Sequence, residues 1–357
     1  MSKLFKFILL LLALSIVGCK EDKAQSWSPG KPIDKEFIKI GIMYLDKAEG
    51  GYAYAHDFGI KAAQRELNLR DDQIIRKYDV NDADVVLIEH KISEAIAEGA
   101  NIIFATSWGQ MDICEKLSEK YPNVIFAHAS GYKSNDRNFT NYFGRIYQAR
   151  YLAGIVAGLK TKTDKIGFVA AQDKSNSEVT GGLNAFAMGV ESVNQSAKIY
   201  VSVTHSWFDP SSERLVAQRL IKEGSDVIAQ HCDTSIPQVE AEKAGVWSIG
   251  YNTDMSRDAP DAVLTSVIWN WGIYYSALIK SVIDGSFTTK PYFGGLADGL
   301  VDISPINKTL ATPEMEGAVA DAKKRMLTEN FKIFGSLSDD EIAKGIDWYH
   351  HNIIELK

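Results

Sequence analysis

The residues best suited to chemistry lie in short polar and aromatic segments, each directly following an apolar run. Residues 50–57 read GGYAYAHD, 106–110 TSWGQ, 172–178 QDKSNSE, 230–234 QHCDT, 251–254 YNTD and 269–271 WNW. Tyr52, Trp108 and Trp269 supply flat rings that can stack on a planar heteroaromatic ligand, an interaction of ~1–3 kcal/mol per base. Ser107, Glu178, Asp233, Asn252 and Asp254 supply hydroxyl, amide and carboxylate groups that can read ring nitrogens or sugar hydroxyls. The chemistry such a set supports is reversible binding. A purine or nucleoside pocket fits it. A sugar pocket also pairs aromatic platforms with Asp and Asn, so residue types alone leave both open.

Catalytic and cofactor signatures are missing. The sequence has no phosphate-cradling G-x-x-x-x-G-K-[ST], no dinucleotide fingerprint and no nucleophile elbow. No H-x-x-x-H or C-x-x-C occurs, and the seven histidines are scattered. His350 and His351 are adjacent, and on a helix they would diverge by about 100°, so no metal pair is expected there. His231-Cys232-Asp233 has no base partner in view and reads as pocket lining rather than a nucleophilic centre. We therefore expect no enzyme, no cofactor and no metal. Cys114 and Cys232 read as buried free thiols.

Alternating elements must position these loops. Apolar runs such as FIKIGIMY (37–44), NIIFAT (101–106), KIGFVA (165–170) and VLTSVI (263–268) predict strands. Helical spacing separates them, for example over 54–67, 84–98, 178–193 and 212–223, and a last helix is predicted over 339–350. Strands joined by helices imply parallel sheets with right-handed crossovers. The set runs twice, which predicts an α/β protein of two doubly wound lobes, with ligand at the carboxyl ends of the strands. The 357 residues carry 39 Lys and Arg against 46 Asp and Glu, and this net charge of −7 argues against a nucleic-acid partner.

The N-terminus reads as an address. Lys3 and Lys6 precede an apolar run over 7–17, too short to span a bilayer but suited to a signal-peptide core. Ile16-Val17-Gly18-Cys19 follows and resembles a bacterial lipobox, which implies cleavage after residue 18 and a lipid on Cys19. The expected location is the bacterial cell envelope, lipid-anchored and facing the periplasm or the exterior. Residues 19–36 are polar and aperiodic, and read as a flexible tether.

From about Ile38 to Val301 the sequence resembles the basic-membrane-protein family of lipoproteins, substrate-binding proteins of ABC importers related to purine nucleoside receptors. The segments that carry the resemblance are GYAYAHD (51–57), TSWGQMD (106–112), GRIYQ (144–148) with YLAG (151–154), WFDP (207–210) with Glu213, QHCDT (230–234), GYNTDM (250–255) and LTSV (264–267) with WNWG (269–272). The resemblance implies a type I periplasmic-binding fold with three crossovers, near Phe143, Val267 and residues 290–295. One lobe would comprise 37–142 with 268–290, the other 143–267 with 291–357. It further implies that Tyr52 stacks on a base and that partners are a purine base or nucleoside and the permease subunits. Nucleoside receptors carry G-V-D-x-D, whose carboxylate serves the ribose. Here the segment is Gly250-Tyr251-Asn252-Thr253-Asp254. They also place Lys where this chain has Trp269. Both departures point to a free base such as adenine, with Trp269 filling the ribose space. The competing readings are a non-transport receptor or adhesin on the same fold and, further off, a nucleosidase.

Overall fold

The computed structural model describes residues 27–329 and 331–356. The signal segment and Cys19 lie outside the described residues. In chain order the first part is β1 (Ile40–Met43), α1 (Gly51–Leu67), β2 (Ile74–Lys77), α2 (Val85–Ala97), β3 (Ile102–Ala105), α3 (Met111–Lys120), β4 (Ile125–Ala129) and β5 (Phe139–Gly144). The second is α4 (Ile146–Lys160), β6 (Lys165–Ala170), α5 (Ser177–Glu191), β7 (Lys198–Val203), α6 (Pro210–Lys222), β8 (Val227–Gln230), α7 (Ile236–Lys243), β9 (Trp247–Asn252) and β10 (Val263–Trp269). The chain then makes α8 (Trp271–Asp284), β11 (Tyr292–Gly294), β12 (Val301–Ile303), α9 (Pro313–Thr328), α10 (Asp339–Lys344) and β13 (Ile353–Glu355).

Two sheets result. The first has six strands in the order β11-β5-β4-β3-β1-β2, all neighbours parallel. The second has seven in the order β12-β10-β9-β8-β6-β7-β13, parallel except for β12 against β10. The fold class is the α/β, two-lobed arrangement that the strand–helix alternation predicts. The central strands are buried end to end, as in β1, β3, β4 and β8, because helices cover both faces of each sheet. Helix starts are written locally. Asp84 accepts a hydrogen bond from the Leu87 amide, and Asp209 accepts from the Ser211 and Ser212 amides with Pro210 in the first turn.

The chain passes between sheets three times: after Gly144, after Trp269, and between Gly294 and Val301. Helix α4 packs on α5 and β10, and α8 returns to pack on α1. Strand β11 pairs with β5, so residues 292–294 belong to the first sheet and not to the second lobe as the expected boundary at 291 had it.

Two other expectations need correcting. Residues 27–36 are not free tether. Trp27 and Ile33 are buried, the Trp27 indole donates to the Lys31 carbonyl, and the Ile33 amide donates to the Ile283 carbonyl at the end of α8. Apolar side chains that gain burial of this kind, ~1.5–3 kcal/mol each, hold the segment on the first lobe. The predicted helix over 339–350 stops at Lys344, and Gly345 continues at φ +112. Cys114 and Cys232 are free, buried, and in separate hydrophobic clusters. Among the described residues no helix is long and apolar enough to cross a membrane.

Candidate ligand-binding cleft

The carboxyl ends of both sets of strands face one another, and aromatic rings fill the space between. Tyr52 and His56 sit one turn apart on α1, so both rings point the same way. Trp269 ends β10 and Trp271 begins α8, on either side of the second crossover. His56, Trp271 and Trp269 form a continuous stack, with centroids 4.5 and 4.4 Å apart and planes within 12° at both steps. Tyr52 stands edge-on to His56 at 4.5 Å and to Trp271 at 6.2 Å, and Phe143 lies 5.0 Å from Trp269. Trp269 is only 3% exposed. Burial holds the His56 imidazole well below its usual range, so the stack carries a neutral ring there, and the Tyr275 hydroxyl lies 2.5 Å from Nδ1.

Polar groups of the second lobe close around this column. The Tyr251 hydroxyl donates to Glu178 Oε1 at 2.5 Å, and the Trp269 indole nitrogen reaches the same hydroxyl at 3.4 Å. Beneath Tyr251 lies Arg150, fully buried, its guanidinium 4.1 Å from the ring centre and its Nη1 donating to the Gln230 carbonyl at 2.6 Å. Burial lowers Arg150 to about 10, which still leaves it charged. Burial raises Glu178, while the Tyr251 hydrogen bond and the Arg150 charge act the other way.

Asn252 Nδ2 donates to Asp233 Oδ1 at 2.7 Å. Burial pushes Asp233 well above the ordinary carboxylate range, with the Asn252 hydrogen bond opposing and the Glu178 charge reinforcing. Asn252 adopts φ +68, a left-handed backbone that Asn tolerates. Asn252 Oδ1 and Trp271 Nε1 are buried without a hydrogen-bond partner. His56 Nε2, in the stack itself, and nitrogens of Arg150 and His231 next to Tyr251 are likewise buried without a partner, so unpaired polar atoms, which are uncommon in protein interiors, gather around the ring stack.

The lobes touch at Gly51. Its φ is +61, and a Cβ there would overlap the Asp233 backbone and lie 2.7 Å from the Asp233 Cβ. Gly50 gives α1 no side-chain cap, so no side chain of the cap residue satisfies the amides of its first turn. The crossovers converge at Gly144, where a Cβ would stand 2.7 Å from Leu300 Cδ2 and 2.9 Å from Trp269 Cζ3.

Four of the candidate residues, Tyr52, Glu178, Asp233 and Asn252, surround the ring column with Trp269. Three others stand apart. Trp108 is 54% exposed and rests against Tyr132, at 5.8 Å between ring centres. The expected trio of facing aromatics is therefore not formed. Ser107 explains why: its hydroxyl donates to Asp82 Oδ2 at 2.5 Å, the Gly109 amide donates to the same oxygen, and this pinned 3-10 turn sends the Trp108 ring outward. Asp254 is exposed, accepts from the Ser256 amide, and lines a surface hollow with Pro260 and Asn307. His56, Phe143, Arg150, Tyr251 and Trp271 were not singled out from sequence. The i, i+4 spacing from Tyr52 to His56 and a charged Arg150 within the mainly apolar run 149–159 are the signals that could have found two of them.

Two lobes joined by three crossovers, with an aromatic and carboxylate cleft between, define a ligand-trapping receptor of the type I periplasmic-binding class. An ABC transporter solute-binding protein from Conexibacter woesei shares the fold, at a TM-score of 0.70 and 18% identity over 83% of this chain and 98% of that one. The chain belongs to the Bmp family of PnrA-like ABC transporter substrate-binding proteins, whose model matches residues 45–331. It is 32% identical over 330 residues to a purine-binding protein of Brucella abortus, covering 88% of this chain and 92% of that protein. It is 31% identical to a putative ABC transporter glucose-binding protein of Haloferax volcanii, covering 91% of this chain and 81% of that one. The protein is thus a receptor that binds and delivers rather than an enzyme, and its partner is the permease of an ABC transporter.

Proposed function

We propose that this receptor captures a purine between its closing lobes, with a free base of the adenine type preferred to a nucleoside. The observation that carries the reading is the stack of His56, Trp271 and Trp269 with Tyr52 edge-on beside it. A flat heteroaromatic ring extends such a column and gains ~1–3 kcal/mol per stacking contact. Glu178, Asp233 and Asn252 are the polar groups at hand to read its edge, and the unpartnered Asn252 Oδ1 suits an amino or ring N–H donor. The purine-binding relative supports the ligand class. Buried Trp269, standing where a ribose-facing Lys is expected, supports the smaller ligand.

Calorimetry with adenine, adenosine, guanosine and glucose tests this. Adenine should bind tightest and glucose should give no heat. Tighter adenosine than adenine binding would sink the free-base preference, and tight glucose binding without purine binding would sink the purine reading. Native mass spectrometry of the freshly purified protein should reveal a retained ligand of purine mass.

The same proposal places the receptor on a lipid anchor through Cys19, motivated by Gly18-Cys19 after the short apolar run. Mass spectrometry of the mature N-terminus should find diacylglycerol on Cys19, and Cys19→Ala should lose that modification. A mature chain from the membrane fraction that begins elsewhere or carries no lipid on Cys19 would remove the anchor from the account.

A further inference from the structure

The end of the chain carries a cluster that ligand capture does not use. Helix α5 ends at Glu191, and residues 348–352 run back across it before entering β13. They are pinned in place. Asn184 on α5 donates through Nδ2 to the Trp348 carbonyl at 2.8 Å and accepts from the His350 amide at 2.8 Å. Asn352 Nδ2 donates to the Ala187 carbonyl at 3.1 Å. Because this stretch is not helical, the two adjacent histidines do not diverge. His350 Nε2 lies 3.3 Å from Glu191 Oε2, and His351 Nε2 lies 2.8 Å from Glu191 Oε1. The ligand atoms of all three fall within 4.8 Å of one another.

We propose that Glu191, His350 and His351 bind a divalent transition-metal ion of the zinc type, clamping the C-terminal segment to helix α5. Two imidazole nitrogens with one carboxylate form a donor set that suits zinc, leaving a fourth position for water. Bonds of ~2.0–2.1 Å in a tetrahedron separate ligand atoms by about 3.3–3.4 Å. The His350–Glu191 pair already stands at that spacing, and His351, 67% exposed at its side chain, is free to adjust.

Asn352 orients the His350 ring. Since Asn352 Nδ2 is spent on Ala187, Asn352 Oδ1 must accept, and the His350 Nδ1–H donates to it at 2.7 Å. With Nδ1 engaged in this way, Nε2 is the ring nitrogen that faces Glu191. An outer amide that fixes the tautomer in this way is the usual support of a metal-bound histidine.

The test uses the full-length chain, stripped with a chelator and titrated with Zn2+ against a chromophoric competitor. One Zn2+ should bind per chain and raise the melting temperature. His351→Ala and Glu191→Gln should each weaken Zn2+ binding at least about tenfold and abolish the thermal shift, and Asn352→Ala should weaken it by about 10–100-fold through the lost tautomer support. Purine binding should be unchanged in His351→Ala, an exposed position that leaves the fold intact. Zn2+ binding weaker than about 100 µM, or stoichiometric binding that survives both His351→Ala and Glu191→Gln, would overturn the proposal.

Discussion

Gly51, at the first turn of α1 in one lobe, lies directly against the backbone of Asp233 at a strand end of the other. The contact is closed because residue 51 has no side chain and holds φ at +61. Gly51→Ala would add a methyl into the Asp233 carbonyl and force a left-handed backbone that disfavours Ala by roughly 1–2 kcal/mol. The expected outcome is weaker purine binding by at least about tenfold, with the lobes held apart. Calorimetry reads the first effect, and an increased radius of gyration in small-angle scattering with ligand present reads the second. An unchanged affinity would show that closure does not pass through this contact.

Trp269 links stability to selectivity. It is buried between Trp271 and Phe143 and reaches Tyr251 through its indole nitrogen. Trp269→Ala should destabilise the protein by roughly 3–5 kcal/mol in urea unfolding. On the proposed reading it should also shift preference from adenine toward adenosine, since ribose-sized space opens beside the stack. The ratio of the two affinities, measured on the same preparation, is the informative quantity.

Asp339, at the start of α10, holds the crossovers from the far end of the sequence. Its Oδ2 accepts from Arg145 Nε and Nη2 at 2.9 and 2.6 Å, and its Oδ1 accepts from the Tyr147 hydroxyl at 2.9 Å. Arg145 Nη1 in turn donates to the Phe293 carbonyl. Asp339→Ala should cost about 1–3 kcal/mol, because partly buried charge-assisted hydrogen bonds lose their acceptor. The urea midpoint should fall at constant slope. A midpoint within experimental error of the parent would mean that solvent replaces these bonds without loss.

His128 should impose a pH dependence on stability. Burial lowers its imidazole to about 4, and its Nε2 lies 2.7 Å from the Ser107 carbonyl. In the unfolded chain the ring takes up a proton near pH 6.5. Between those values the unfolded state binds the extra proton, so stability present above about pH 6.5 is lost as pH falls toward 4, at up to about 1.4 kcal/mol per unit. His128→Gln should flatten that slope in melting measurements from pH 7 to 4.5. Buried His56 and His231 act in the same sense, so the slope should shrink rather than vanish.

Long elements were legible because apolar periodicity is a local property. The strand over residues 165–170 and the helices after Asp84 and Asp209 follow from apolar runs and caps within a few residues. Strands β11, β12 and β13 are three residues each, too short to show a period, and exist because a neighbouring edge offers hydrogen bonds. Residues 27–36 look like tether, since only Trp27 and Ile33 are apolar enough to reveal contact with the first lobe.

What the sequence by itself determined is the alternation of strands and helices, the loops that carry aromatic and carboxylate groups, and the family to which they belong. Only the tertiary structure decided which of those groups meet. Trp108 lies exposed on a turn that Asp82, 26 residues earlier in another loop, pins, and Asp254 lies exposed with its carboxylate on the Ser256 amide while its neighbour Asn252 bonds Asp233. His56, Trp271 and Trp269 become one stack only where the first helix meets the second crossover. Propensity and hydrophobic period act over one or two turns of chain. The direction of a side chain in a loop is set by partners that are distant in sequence and become neighbours only on folding.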